Sequence, residues 1–332
     1  MNKLFLILIL TGQLSAKETK IKLYNWWDYI SPTVLENIEK NGLKTNLTIY
    51  TSNSQAIARL YKNNDKFDLA IVSKFTMESL KDYDVFDKKI FKDLIKSRSY
   101  NNLQSNEDFC LPYLWGPTVF INNYSIESGI NSSLFLELSN KTNFKIIDDP
   151  VEVTTMFVAD GTCAMSDTKC ITKNYTKLAQ IAKSKNFTSH IEKKDFKGKF
   201  LFYGWLGALI QALKEGEIKN LNVHIPKRVV IGQDFLCALK NRNSNKADLL
   251  KYASILSNQE NSQVNENYSG YFSPYLLESK EYTGSSYKIL KDLKVKFETR
   301  IKGNSYIYLP NINSKNIKST KKLWERMRYG KP

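Results

Sequence analysis

From Lys20 to Asn25 apolar and polar positions alternate, the period of a strand with one buried face. From Pro32 to Lys40 the spacing becomes helical, with Pro32 in the first turn and Ser31 placed as its N-cap. Asn46 to Tyr50 reads as a second strand and Gln55 to Lys62 as a second helix. The run Phe67-Asp68-Leu69-Ala70-Ile71-Val72 reads as a buried third strand ending at Ser73. The rhythm resumes later in the chain. Lys145-Ile146-Ile147 predicts a strand that ends in Asp148-Asp149 and leads to a helix carrying Glu152. Lys199 to Tyr203 predicts another strand, with Trp205 opening a helix at Gly204-Trp205-Leu206-Gly207. Strands alternating with helices in this way predict an α/β chain, its sheet mostly parallel and covered by helices on both faces. In such sheets a ligand crevice lies beyond the C-terminal ends of the strands. Trp27 to Tyr29 and Ser73 to Phe75 both follow strand ends, so they are expected on one rim.

That rim has a chemical character. Trp26, Trp27 and Tyr29 set three rings around Asp28 in four consecutive positions. Ring faces beside a carboxylate suit a small organic cation, although the same rings could simply fill a core. Asp149 and Glu152, three apart in the first turn of their helix, are expected to turn their carboxylates the same way. They could hold a cation or merely complement a helix N-terminus.

Length, charge and cysteines narrow the class. Met1-Asn2-Lys3 followed by the apolar run Leu4 to Leu10 reads as a secretory signal peptide over residues 1–16, cleaved near Ala16. No other stretch reads as a membrane span, so an exported, periplasmic protein is expected. The remaining residues exceed what one compact core usually holds, which predicts two domains. The formal net charge of +16 suggests nucleic acid or an acidic surface as partner. Lysines and acids are nevertheless interspersed throughout, with no basic stripe, so no nucleic-acid partner is expected. Cys163 and Cys170 could staple a polar loop, while Cys110 and Cys237 could pair or remain buried thiols. Three pairings remain open to four cysteines. No cysteine or histidine spacing suggests a metal site.

Several motifs, taken in order, give the chain a family likeness. They are Tyr24-Asn25-Trp26-Trp27-Asp28-Tyr29, Ser52-Asn53, Phe67 to Ser73, Leu111-Pro112-Tyr113-Leu114-Trp115 and Asp148 to Val153. Gly204-Trp205, Ile225-Pro226-Lys227 and Gly270-Tyr271 continue the series. With these the chain resembles the extracytoplasmic spermidine- and putrescine-binding proteins of ABC importers, over nearly all of its length after the leader. The resemblance implies the type II periplasmic-binding-protein fold. In that fold two lobes, each a mixed, mostly parallel sheet flanked by helices, are joined by crossing hinge strands and close on the ligand. It implies lobe 1 from residues 17–122 and 234–280, and lobe 2 from 123–233 and 281–332. It places Trp26, Asp28, Tyr29 and Ser73 on one wall, Asp149, Glu152 and Trp205 on the other, and Asp234 and Tyr271 near the hinge. Trp27 and Phe75 stand at ligand-facing positions. The implied partners are a small polyamine and a membrane ABC permease. The protein is expected to act as a monomer, without a cofactor, a metal or catalytic residues.

The departures from the family pattern are specific. Trp27 replaces a small hydroxyl residue, Lys74 a neutral one, and Phe75 the tyrosine of spermidine binders. Gly232-Gln233 precedes Asp234 where an aromatic is expected, and Ala208 stands where putrescine-type relatives have an aspartate. An inward Lys74 would oppose a cation and favour an amino acid or organic anion instead. A subunit that reports occupancy to a membrane receptor would need the same closed lobes. An enzyme is not expected, since no nucleophile elbow, phosphate loop or His-containing ligand cluster is present.

Overall fold

The computed structural model describes residues 19–98, 100, 109–126, 129–164, 166–188, 195, 197–214, 221–275, 296, 297, 299, 306–308, 322–326 and 328. The expected signal peptide and most of 281–332 lie outside the described residues. The first part of the chain runs β1 (Thr19–Trp26), α1 (Pro32–Lys40), β2 (Leu43–Tyr50), α2 (Asn53–Asn63), β3 (Leu69–Ser73), α3 (Lys74–Leu80), α4 (Lys92–Lys96) and β4 (Leu111–Asn122). It continues through α5 (Ser132–Ser139), β5 (Asn143–Ile147), α6 (Pro150–Ala159), α7 (Thr168–Ile181), β6 (Phe187–Thr188), β7 (Phe200–Trp205) and α8 (Leu206–Lys214). The last described elements are β8 (Asn222–His224), β9 (Val229–Ala238), α9 (Lys246–Leu256), α10 (Gln259–Ser269) and β10 (Tyr306–Tyr308).

One mixed sheet carries all ten strands in the order β2-β1-β3-β9-β4-β7-β5-β6, with β10 on β9 and β8 on β4. At one end β2, β1 and β3 are parallel, and at the other β6, β5 and β7 are parallel. Between them run two long strands that belong to both halves. The C-terminal part of β9 pairs antiparallel with β3, from Ser73↔Asp234 to Leu69↔Ala238, while its N-terminal part pairs with β10. β4 pairs first with β9 and then, from Thr118 onward, with β7 and β8, with a register shift between Pro112 and Trp115. Cys110–Cys237 joins these strands where they meet, and Cys163–Cys170 closes the loop before α7.

Both faces of each half are buried, as the apolar runs require. Leu69 and Ile71 pack with Leu23, Val34 and Tyr252, while Ala70 and Val72 face the opposite way to Tyr24, Leu60 and Phe235. In the other half Phe120 and the flanking Val119 and Ile121 divide between two clusters in the same manner. No helix among the described residues is long and apolar enough to cross a membrane.

Three local expectations change. Ser31 occupies the N-cap of α1, but its side chain makes no capping bond, and its N–H donates to Asn265 Oδ1 at 2.8 Å. Phe67 and Asp68 precede β3, because the Asp68 carboxylate is held by the backbone N–H groups of Lys22, Asn243 and Ser244. Trp205 ends β7, and the helix begins one residue later at Leu206.

Candidate functional site

The sharp exit from β1 builds the first wall. Trp27 N–H still bonds Tyr50 O at 3.0 Å, but Asp28 then turns into left-handed backbone (φ 49). Aspartate tolerates that conformation better than a bulky or branched residue would. The turn lets Trp26, Trp27 and Tyr29 all reach one cavity of about 940 Å³, its open mouth included. Thr51, Asn53 and Ser73 complete this side. Gly116 on β4 and Gly232, Gln233 and Asp234 on β9 form the floor. Glu152, Trp205, Ala208 and Gln211 complete the lining from α6, β7 and α8, and Tyr271 adds its ring beside Tyr29.

Two carboxylates, the buried Glu152 and the half-buried Asp234, lie at this space, and aromatic donors hold both. Asp234 accepts from Tyr29 Oη at 2.5 Å and Trp26 Nε1 at 3.2 Å. Glu152 accepts from Trp205 Nε1 at 2.9 Å and Thr118 Oγ1 at 2.8 Å. The Trp26 and Trp205 rings meet edge to face, 5.8 Å between centroids, so the two assemblies touch. Burial raises the Glu152 carboxyl to about 8, with the Asp149 charge adding to the effect. Burial likewise raises Asp234 to about 6, against the opposing bonds from Tyr29 and Trp26. The described residues that line the cavity include no lysine, arginine or histidine.

Asp149 and Asn53 tie the walls together. Asp149 Oδ1 caps α6 through the N–H groups of Val151 and Glu152, at 2.9 and 3.1 Å. Its other oxygen accepts from Asn53 Nδ2 at 2.9 Å. Asn53 Oδ1 in turn accepts from the hydroxyls of Ser73 (2.5 Å) and Thr76 (3.0 Å). A second tie runs from Gln211 Nε2 to the Asp28 backbone oxygen at 2.8 Å.

Of the residues expected at the site, Trp26, Trp27, Tyr29, Ser73, Glu152, Trp205, Asp234 and Tyr271 line one cavity. Asp28, Phe75 and Asp149 do not. The Asp28 carboxylate turns to Tyr268 Oη at 3.3 Å, and Phe75 packs beside the core that holds Phe135 and Phe157. Asp149 belongs to the cap, not to the first turn, and its carboxylate is taken up by the N–H groups of Val151 and Glu152 and by Asn53. Lys74 opens α3 and is absent from the lining. Thr51, Asn53, Gly116 and Gln211 line the cavity outside the expected set. Only Asn53 carried a signal, in the Ser52-Asn53 motif. No group of three His, Cys, Asp or Glu side chains among the described residues is arranged to hold a metal.

No protein-family model matches the chain. Among curated proteins it is 27% identical over 124 residues to the putrescine-binding periplasmic protein PotF of Escherichia coli, covering 34% of this chain and 33% of that one. It is 28% identical over 116 residues to the spermidine/putrescine-binding periplasmic protein of Salmonella typhimurium, covering 31% and 32%. The chain thus matches about a third of the length of these relatives. Among solved structures, it superposes on the substrate-binding protein PotD of Streptococcus pneumoniae with a TM-score of 0.66, at 18% identity over 93% of this chain and 98% of that one. The Tp0655 lipoprotein of Treponema pallidum gives 0.67, at 16% identity over 93% and 99%. Maltose-bound MalE3 of T. maritima gives 0.69, at 10% identity over 93% and 94%. The chain has the two-lobed periplasmic-binding-protein fold. Because that fold also holds a sugar, the nature of the ligand rests on the cavity.

Proposed function

We propose that this protein captures a small polyamine of the putrescine or spermidine type in the inter-lobe cavity and delivers it to an ABC importer. The observation that carries the reading is the cavity itself. Three indoles and two phenols surround the carboxylates Asp234 and Glu152, and no cationic side chain among the described residues lines the space. Ammonium groups need carboxylates, and the methylenes between them need ring faces. A ring under an ammonium contributes about 0.5–2 kcal/mol, and a charge-assisted hydrogen bond about 1.5–3 kcal/mol. The curated relatives, named as polyamine-binding periplasmic proteins, support the same reading.

The proposed lobes are 17–122 with 234–280, and 123–233 with 281–332, with β4 and β9 crossing between them. The ligand bridges the Asp234 and Glu152 walls, and closure excludes water. It favours the closed state only by binding it more tightly than the open one. Location outside the cytoplasm, after removal of residues 1–16, belongs to the same reading, as does docking of the closed lobes on a membrane permease. Binding and not catalysis is the proposed activity. The absence of Lys74 from the lining removes the feature that would have favoured an organic anion.

Thermal unfolding with putrescine, cadaverine, spermidine and spermine, beside amino acids and organic anions, tests this. Ligand at about 100 times its Kd adds about 2.7 kcal/mol of stability. A shift with at least one polyamine is the expected result. Silence from all four, with a response to a neutral or acidic solute, would overturn it.

A further inference from the structure

Glycines from three elements meet around the Tyr271 ring. Gly116 lies on β4, Gly207 is the second residue of α8, and Gly270 caps α10 with left-handed backbone (φ 77). A Cβ on Gly116 would stand 2.8 Å from Tyr271 Cδ1. A Cβ on Gly207 would overlap Cδ2, Cε2 and Cζ, on the opposite edge of the same ring. The ring therefore fills a slot whose two walls are bare backbone, a fit that close packing cannot relax without moving one element. Gly270 is pressed onto α8 as well, since a Cβ there would stand 2.8 Å from Ile210 Cβ and 3.0 Å from Gly207 O.

The ring's polar end is also engaged. Its phenol end lies near the Ala208 backbone N–H, one of the donors that the start of a helix leaves without an intrahelical partner. The other neighbours of the ring lead to both carboxylates. Tyr29 meets it edge to face at 4.9 Å and donates its hydroxyl to Asp234. α8 follows directly on Trp205, whose indole donates to Glu152. One ring thus braces the Asp234 assembly against the Glu152 assembly.

We infer that Tyr271 is a positioning residue, whose seat between Gly116 and Gly207 sets the spacing of the Asp234 and Glu152 walls, so that closure around a ligand requires the ring to be seated. This rests on the reading that a polyamine bridges those two walls. Helix propensity gives the test its sign. Alanine favours a helix over glycine, so outside a slot Gly207→Ala would leave stability unchanged or raise it.

The experiment is a double-mutant cycle of Gly207→Ala and Tyr271→Ala, read by unfolding temperature without ligand and by calorimetry with putrescine and spermidine. Gly207→Ala alone is expected to lower the unfolding temperature and to weaken binding at least tenfold. In the Tyr271→Ala background the same change is expected to cost less than twofold in affinity and nothing in stability, because the methyl enters vacated space. Equal effects in both backgrounds, or wild-type affinity in Gly207→Ala, would overturn the slot. Should Gly207→Ala fail to fold, Tyr271→Phe keeps the ring and removes the phenol oxygen near the Ala208 N–H. Faster amide exchange in the first turn of α8 and at least threefold weaker binding are then expected, and unchanged exchange and affinity would overturn the proposal. If the unsubstituted protein binds no polyamine, the ligand reading fails by itself. The ligand-free cycle still judges the slot, which non-additive unfolding temperatures uphold and additive ones refute.

Discussion

Glu152 and Asp234 show how one side chain's surroundings set its chemistry. Both are acids in a ring-walled space, and desolvation raises Glu152 to about 8 and Asp234 to about 6. In the unfolded chain they titrate near their ordinary values, so between those values and the raised ones the folded state holds protons that the unfolded state has released. Stability contributed by these groups is therefore full at low pH. It falls as pH rises, through about 6 for Asp234 and through about 8 for Glu152. The ligand-free protein is expected to lose unfolding temperature between pH 5 and pH 8.5, and Glu152→Gln to flatten the upper part of that curve. An identical curve for the variant would show that Glu152 ionises normally. A cationic ligand pulls the other way, favouring the ionised carboxylates. Asp234→Asn should weaken a polyamine tenfold or more in calorimetry, on the scale of a lost buried charge partner. The same substitution should relieve the cost of a buried charge in the empty protein, so affinity and stability separate.

At the scale of elements, helix starts do double duty. α2 begins at Asn53, β3 passes into α3 at Ser73, and α6 is capped by Asp149, and these three termini share one hydrogen-bond chain across the cavity. A carboxylate read from sequence as a ligand group is here committed to a cap and a strut. Asp149→Ala removes a cap worth about 0.5–2 kcal/mol and strands a buried amide at about 1–3 kcal/mol. Urea unfolding is expected to show a loss in that combined range, with Asp149→Asn losing clearly less because its oxygen still caps. Equal losses would mean that the charge, not the cap, carries the stability. The Ser52-Asn53 motif was visible in the sequence, but its partner across the cavity was not. Asn53 and Asp149 meet where the starts of α2 and α6 come together, far apart in the chain, and by no local pattern.

At the scale of the whole molecule, β4 and β9 are the only two long strands shared by both halves of the described sheet, and Cys110–Cys237 ties them together over a separation of 127 residues. Loop-closure entropy makes such a bridge worth about 5 kcal/mol, against about 2.5 kcal/mol for a short loop like that of Cys163–Cys170. Replacing the first pair by serine should therefore lower stability more than replacing the second, measured by denaturant unfolding of each double variant. The reverse order would place the decisive constraint in the loop before α7.

Sequence alone determined what depends on neighbouring residues. The alternation at Lys20–Asn25, the helical spacing at Pro32–Lys40 and the buried run at Leu69–Val72 specify elements, because a strand's period of two and a helix's of 3.6 are local properties. From strand ends alone, Trp27, Tyr29 and Ser73 could be set on one rim, and in the structure they line one cavity. The tertiary structure decided the direction of each side chain at the rim. The left-handed turn at Asp28 sends its carboxylate to Tyr268 while its neighbours face inward, and the cap at α6 commits the Asp149 carboxylate to backbone N–H groups and to Asn53. It also decided which cysteines meet and why Gly116 and Gly207 lack side chains. Those answers depend on where β4, α8 and α10 converge, and convergence is set by the packing of elements distant in the chain.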